Sequence, residues 1–193
     1  MKSALLLLLC LVAACASESY APGPQRISPE RAAELVRAEI LRENPEINPA
    51  VQIPLLEITP TEAWQAMSVQ LFQVRNDSLV QGFETFAVRK GQVARLGKGV
   101  GGDGVGSTLV TDFDGDRSPD LAFAYSWGSG RRRSQVGVLR IAGDHMQVLP
   151  CEWSVEGSTY LVPGQRGTAQ VQSASSGIGT LRVVEGVLRV VAD

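Results

Sequence analysis

The chain has 193 residues, 44% of them hydrophobic, so it is long enough to build one globular domain with its own core. Its formal net charge of -2 excludes a general electrostatic attraction to nucleic acid. The 20 glycines and 10 prolines favour a turn-rich, mainly β chain over a helical bundle.

The first segment has the features of an export signal. Lys2 precedes an apolar run from Ala4 to about Val12, and small residues follow. The run is too short for a permanent membrane helix, which needs about 20 apolar residues. Its end, Leu11-Val-Ala-Ala-Cys15, resembles the box of bacterial lipoproteins, in which the cysteine is lipidated and becomes the first residue of the mature chain. We therefore predict a lipoprotein signal peptide over residues 1–14 and lipidation of Cys15.

A second interpretation of this segment stays open. Ala14-Cys15-Ala16 also fits the small-x-small pattern of ordinary signal-peptidase cleavage after Ala16. Under the lipoprotein interpretation, membrane lipid is a partner of the chain. Because the residue after Cys15 is not aspartate, the resemblance implies the outer membrane of a proteobacterial cell envelope.

The remaining chain is predicted to consist of a tether and one domain. Residues 15–26 are polar with two prolines, which is typical of a linker, and residues 27–193 form a single β-rich domain. Ser28 as N-cap and Pro29 in the first turn predict one helix, which Asn44-Pro45 ends. A weaker helical turn is expected over 61–67.

From about residue 68 onward the pattern indicates strands separated by turns. The predicted segments are 68–74, a hairpin over 83–97 with Lys90-Gly91 at its tip, 107–113, 120–127, 134–141, 146–150, 169–174, 180–184 and 187–191. The predicted fold is mainly β, an antiparallel sandwich or a partial propeller-like sheet with one N-terminal helix. The sequence has no internal period, which argues against a complete multi-bladed propeller.

The three cysteines predict no intramolecular disulfide. Cys10 leaves with the signal peptide, Cys15 is modified, and Cys151 then has no partner. We interpret Cys151 as a small buried hydrophobic residue.

The segment TDFDGDRSPDLAFAY, which runs from Thr111 to Tyr125, contains four aspartates. Counting from Asp112 as position 1, the odd positions 3, 5, 7 and 9 hold Asp114, Asp116, Ser118 and Asp120. Calcium prefers six to eight oxygen ligands, and carboxylates that alternate along a curled loop can point at one centre. A backbone carbonyl at Ser118 would complete one side. We therefore predict a Ca²⁺ site at Asp112, Asp114, Asp116, Ser118 and Asp120.

This loop differs from an EF-hand and resembles a calcium loop of β proteins. An EF-hand needs glycine at position 6 and a bidentate glutamate at position 12, where this chain has Arg117 and Phe123. The residues DFDGDRSPDL instead resemble the loop of FG-GAP and VCBS-type repeats, D-x-[DN]-G-D-G-x-x-D-L, which joins two β-strands. The resemblance covers 107–127 and implies that Asp120 closes the site and that Leu121 starts a buried strand. Arg117 stands where the family usually has glycine.

Three further features of the sequence are candidates for chemistry. Arg131, Arg132 and Arg133 at a hairpin tip can bind an anion, or they form a solvated turn whose charges balance nearby aspartates. The glycine-rich segment 98–106 contains GxGxxG, but a strand is predicted after it instead of the helix that a phosphate site requires. His145 is the only histidine, and no G-x-S-x-G motif marks a nucleophile for it.

Two hypotheses about function follow. The first is a lipid-anchored, non-enzymatic envelope protein whose structural calcium loop stabilises a β domain, with a protein or glycan at the cell surface as its partner. The second is an envelope hydrolase that uses carboxylates or the bound calcium.

Overall fold

The computed structural model describes residues 25–50, 52–76, 82–97, 101–128, 130–165, 167–173, 177–185 and 187–192. The predicted signal peptide, Cys15 and all of the tether except its last two residues lie outside them. The helices are α1 (Pro29–Glu43) and α2 (Thr61–Met67). The strands are β1 (Leu55–Glu57), β2 (Gln70–Asn76), β3 (Gly82–Arg89), β4 (Gln92–Leu96), β5 (Gly104–Thr111), β6 (Asp120–Trp127), β7 (Arg133–Ala142), β8 (His145–Glu156), β9 (Thr159–Pro163), β10 (Ala169–Ser173), β11 (Gly177–Val184) and β12 (Val187–Val191).

The described strands form three antiparallel sheets of four strands each. Sheet 1 has the order β1-β2-β3-β4, sheet 2 has β5-β6-β7-β8, and sheet 3 has β12-β11-β10-β9. Each sheet is a meander, because neighbours in sequence are neighbours in the sheet. The mainly β, antiparallel prediction is confirmed, and the sheets pack face to face as in a β-sandwich with a third sheet added.

Sheet 2 is covered on both faces, and this explains the continuous apolar run of β6. Leu121 and Phe123 belong to a core cluster with Leu71 of sheet 1. Ala122 and Ala124 belong to a different cluster, which includes residues of sheet 3. Because successive side chains of a strand alternate between the two faces, a strand covered on both sides needs apolar residues at successive positions.

Helix α1 covers the other face of sheet 1. Its buried residues Ala32, Val36 and Ile40 recur every fourth position and pack against Phe72 and Phe86. The layers therefore follow the order α1, sheet 1, sheet 2 and sheet 3. The backbone N–H of Arg31 donates to Oγ of Ser28 over 3.3 Å, which confirms the predicted N-cap.

Other local predictions are confirmed as well. The hairpin β3–β4 turns at Lys90 (φ 48°) and Gly91 (φ 79°), the paired positive φ values of a type I′ turn. The weak helical turn is α2, so the described chain has a second helix beyond the one at the N-terminus. Strands β1 and β9 were not predicted from the sequence.

Candidate metal centre

The aspartate loop, residues 112–119, connects β5 to β6 at one end of sheet 2. Phe113 anchors it, because this side chain is only 5% exposed and packs in the core cluster between sheets 2 and 3. The loop between β9 and β10 lies against it: a Cβ built on Gly167 would be 3.2 Å from the carbonyl oxygen of Asp112. The loop is therefore held in place by both sheets.

Three of the predicted ligands lie together. One carboxylate oxygen from each of Asp112, Asp114 and Asp116 lies within 4.8 Å of the other two. Calcium–oxygen distances of about 2.3–2.6 Å place ligands on opposite sides of the ion about 5 Å apart. The spacing and the hard, anionic oxygen donors are those of a group that could hold a metal ion.

Backbone donors hold these carboxylates in their curled arrangement. Asp112 accepts from the N–H of Gly115 at Oδ1 (2.7 Å) and from the N–H of Arg117 at Oδ2 (3.0 Å). Asp114 accepts from the N–H of Asp116 (3.1 Å), and Asp116 accepts from the N–H of Ser118 (2.6 Å). These bonds fix the orientation of the three carboxylates within the loop.

The loop turns through two residues with positive φ. Gly115 has φ 79°, which glycine adopts without the steric penalty that other residues pay. Arg117 has φ 72°, a conformation that costs an L-residue about 1–2 kcal/mol. This gives a physical reason for the glycine that the resembling loops carry at the position of Arg117.

Asp120 is placed differently from the other predicted ligands. Its side chain faces Arg140 of β7, with Nε 3.2 Å from Oδ1 and Nη2 3.4 Å from Oδ2, and Oδ2 also accepts from the N–H of Phe113 (3.1 Å). The residue is 2% exposed. Burial raises the pKa of Asp120, while the bonds from Arg140 and Phe113 act in the opposite direction. Asp120 thus adjoins the group of three carboxylates and is not part of it.

Arg140 also reaches that group directly. Its Nη1 lies 3.1 Å from Oδ2 of Asp114, so one guanidinium bridges Asp114 and Asp120. Arg140 was not among the residues predicted from the sequence. A signal was present: Val136 and Val138 occupy the same face of β7 as Arg140 and are buried. A cationic side chain on the face of a strand that packs against the core needs an anionic partner.

Two of the three arginines between β6 and the start of β7, Arg132 and Arg133, have partners of their own. Arg132 lies 2.9 Å from Asp103 and donates to Oγ of Ser158 over 3.1 Å. Arg133 donates to Oγ of Ser154 over 3.4 Å. The contact to Asp103 is what a charge-balanced turn would show, whereas anion binding at Arg131, Arg132 and Arg133 stays a prediction.

The remaining candidate features of the sequence lie outside the aspartate loop. In the glycine-rich segment, residues 98–100 lie outside the described chain, and β5, not a helix, begins at Gly104. Cys151 is free and 1% exposed, as predicted for a buried hydrophobic residue, and burial raises the pKa of its thiol. His145 begins β8 directly after a turn.

Comparisons with known proteins add no relative: no family model, no curated protein and no solved structure matches the chain. Neither helix of the described residues combines the length and the apolar character that crossing a membrane requires.

Proposed function

We propose that the chain is a lipid-anchored cell-envelope protein that binds one calcium ion at the loop between β5 and β6 and acts as a binding or scaffolding module. The observation that carries the calcium proposal is the group formed by Asp112, Asp114 and Asp116, in which one carboxylate oxygen of each residue lies within 4.8 Å of the other two. The loop's resemblance to the FG-GAP and VCBS type supports the same ion.

The role of the ion is structural. The loop joins two strands of the central sheet, and Phe113 ties it to the core cluster that sheets 2 and 3 share. Binding to the folded state alone stabilises a protein by mass action. With a Kd on the order of 10⁻⁴–10⁻³ M, typical of extracellular modules, 10 mM calcium adds about 1.4–2.7 kcal/mol.

Thermal unfolding tests the calcium proposal. Between EGTA and 10 mM CaCl₂, the Tm of the wild-type chain should rise by about 3–10 °C, since about 1 kcal/mol shifts the Tm of a domain this size by about 2–4 °C. The double variant Asp112→Asn/Asp116→Asn should show no such rise, and it leaves Asp114, which contacts Arg140, unchanged. An equal rise in both proteins, or none in the wild type, would refute the proposal.

The anchoring proposal rests on the box ending at Cys15 and is tested apart from the calcium site. Mass spectrometry of the mature N-terminus, with palmitate labelling in the producing cell, should find a lipidated Cys15 and no label in Cys15→Ala. A mature chain that begins after Ala16 would show that the protein is secreted by ordinary signal-peptidase cleavage and is not lipid-anchored.

A hydrolase remains the second candidate because a cleft adjoins the loop. It has a volume of about 380 Å³ and is lined by Asp112, Phe113, Gly115, Gly167, Thr168, Arg182 and Val183. A carboxylate and an arginine facing one cleft are chemically suited to an ester or phosphoester substrate. Turnover of chromogenic esters, phosphoesters or glycosides that is lost in Asp112→Asn would favour this candidate over a binding module.

A further inference from the structure

Arg140 touches one carboxylate of the proposed calcium site and one carboxylate beside it. Its Nη1 lies 3.1 Å from Asp114, and its Nε lies 3.2 Å from Asp120. Its side chain is 23% exposed, so the guanidinium is largely enclosed between these acids and the sheet. Both oxygens of Asp120 face this guanidinium.

A calcium ion held by Asp112, Asp114 and Asp116 would lie close to this guanidinium, because both would contact Asp114. The two cations repel each other, and they share the carboxylate of Asp114. With charges of +2 and +1 at about 5 Å, Coulomb's law gives a weakening of binding of roughly tenfold to a few hundredfold at effective dielectric constants of about 80 to 40. Dissolved salt reduces this factor.

The same contact has a second consequence for the chain without calcium. Aspartates packed into one loop repel one another, and Arg140 supplies a positive charge within hydrogen-bonding distance of two of them. The loop therefore has an internal counter-ion that makes its fold less dependent on a metal.

We propose that Arg140 is an intramolecular competitor of calcium, which lowers the affinity of the loop for the ion and stabilises the loop when calcium is scarce. This inference rests on the proposed calcium binding and adds its regulation. Calcium binding is then partly an exchange, in which the contact between Arg140 and Asp114 weakens as the ion enters. The exchange sets the calcium concentration at which the site fills.

The test compares the calcium affinity of the wild-type chain with that of Arg140→Gln by isothermal titration calorimetry at fixed ionic strength. The variant should bind at least tenfold more tightly, and in EGTA its Tm should fall below that of the wild type. Arg132→Gln is the matched control: it removes the same charge from an arginine that is paired with Asp103 instead of the loop, and its calcium affinity should equal that of the wild type.

A second pair of variants covers the case in which Arg140→Gln fails to fold because Asp120 is left buried and charged. Asp120→Asn/Arg140→Gln removes both charges together and should bind calcium at least tenfold more tightly than Asp120→Asn alone. This comparison isolates Arg140 on a background without the buried carboxylate.

The outcomes separate the two proposals. If the wild type binds calcium and the removal of Arg140 leaves the Kd within twofold, Arg140 is not a competitor and only this inference fails. If neither the wild type nor the Arg140 variants bind calcium up to 10 mM, the calcium site itself is refuted and the competition with it.

Discussion

The guanidinium of Arg140 and the carboxylate of Asp120 form a cross-strand pair at the point where the aspartate loop enters β6, with Nε 3.2 Å from Oδ1. Leu121 pairs with Leu139 in the register of β6 and β7, so Asp120 and Arg140 occupy the next opposed positions. The pair links the loop to the sheet through side chains as well as through the backbone. Asp120 thereby positions the loop even if it never touches an ion.

The first prediction concerns this link. Asp120→Asn should lower the free energy of unfolding in EGTA by about 2 kcal/mol, because hydrogen bonds to charged groups contribute about 1.5–3 kcal/mol. Urea unfolding measures the change. Asp116→Asn is the control, since Asp116 is exposed and its substitution should change the stability far less. Equal losses in the two variants would contradict the structural role of Asp120.

The second prediction concerns the two positive φ angles of the loop. Gly115→Ala should destabilise the chain by about 1 kcal/mol through the backbone alone, since a Cβ at Gly115 meets no atom within 4 Å. Arg117→Gly should stabilise the chain by about 0.5–1 kcal/mol. Glycine avoids the cost of the left-handed conformation, and part of that gain is offset because glycine loses more backbone entropy on folding. Chemical denaturation measures both, and changes of the same sign would contradict the loop geometry.

The third prediction concerns the attachment of α1 to sheet 1. Nη2 of Arg95 lies 2.9 Å from Oε2 of Glu43 at the end of α1 and 3.3 Å from Oε2 of Glu84 in β3. Glu84 is only 8% exposed. Arg95→Met should cost about 2–4 kcal/mol, because it leaves a buried carboxylate without this cation. The double variant Arg95→Met/Glu84→Gln should recover much of the loss. A loss below about 0.5 kcal/mol in the single variant would show that the contact is dispensable.

The fourth prediction concerns the pH dependence that Cys151 contributes. Burial raises the pKa of its thiol in the folded chain, so the unfolded chain ionises first as pH rises above the ordinary value of about 8.5. The wild type should therefore be more stable than Cys151→Ala by the full amount at pH 7. This difference in the free energy of unfolding should shrink as the pH rises from the thiol pKa of the unfolded chain through the higher thiol pKa of the folded chain. Urea unfolding of both proteins at pH 7 and above pH 9 measures it, and an advantage that grows with pH would contradict the burial.

Reactivity gives an independent check on the same residue. At pH 8 the native chain should react slowly with a thiol reagent at Cys151, and the urea-unfolded chain should react at once. Fast reaction of the native chain would place the thiol at the surface.

Local chemistry made much of the fold predictable. Ser28 and Pro29 mark the start of α1, and Lys90-Gly91 marks the tip of the β3–β4 hairpin, because caps and tight turns depend on residues adjacent in sequence. The run after Asp120 was predicted as a strand entering the core, and β6 is buried from Asp120 to Ala124.

The missed strands had no comparable signal. β1 has three residues and β9 has five, so alternation along either is too short to distinguish it from a loop. Their pairing with β2 and β10 depends on tertiary contacts. The three successive meanders escaped detection for a related reason: no sequence repeat accompanies the repeat of the sheets.

The clustering of three carboxylates at the candidate site was predictable from the sequence, and the arginine beside them was not. The odd spacing brings Asp112, Asp114 and Asp116 together within one loop. Arg140 is 20 positions beyond Asp120 and on another strand, and only the register of β6 and β7 makes them neighbours. The same pairing gives Asp120 a guanidinium as its partner, and the role of Asp120 as a ligand stays a prediction.

The central claim is that the loop between β5 and β6 binds one calcium ion, and equilibrium dialysis of the wild-type chain against radioactive calcium tests it most directly. At an ionic strength of about 0.15 M, we predict one ion per chain with a Kd on the order of 10⁻⁴–10⁻³ M, and none in Asp112→Asn/Asp116→Asn. Saturable binding that persists in that variant, or no binding by the wild type at 10 mM calcium, would contradict the account.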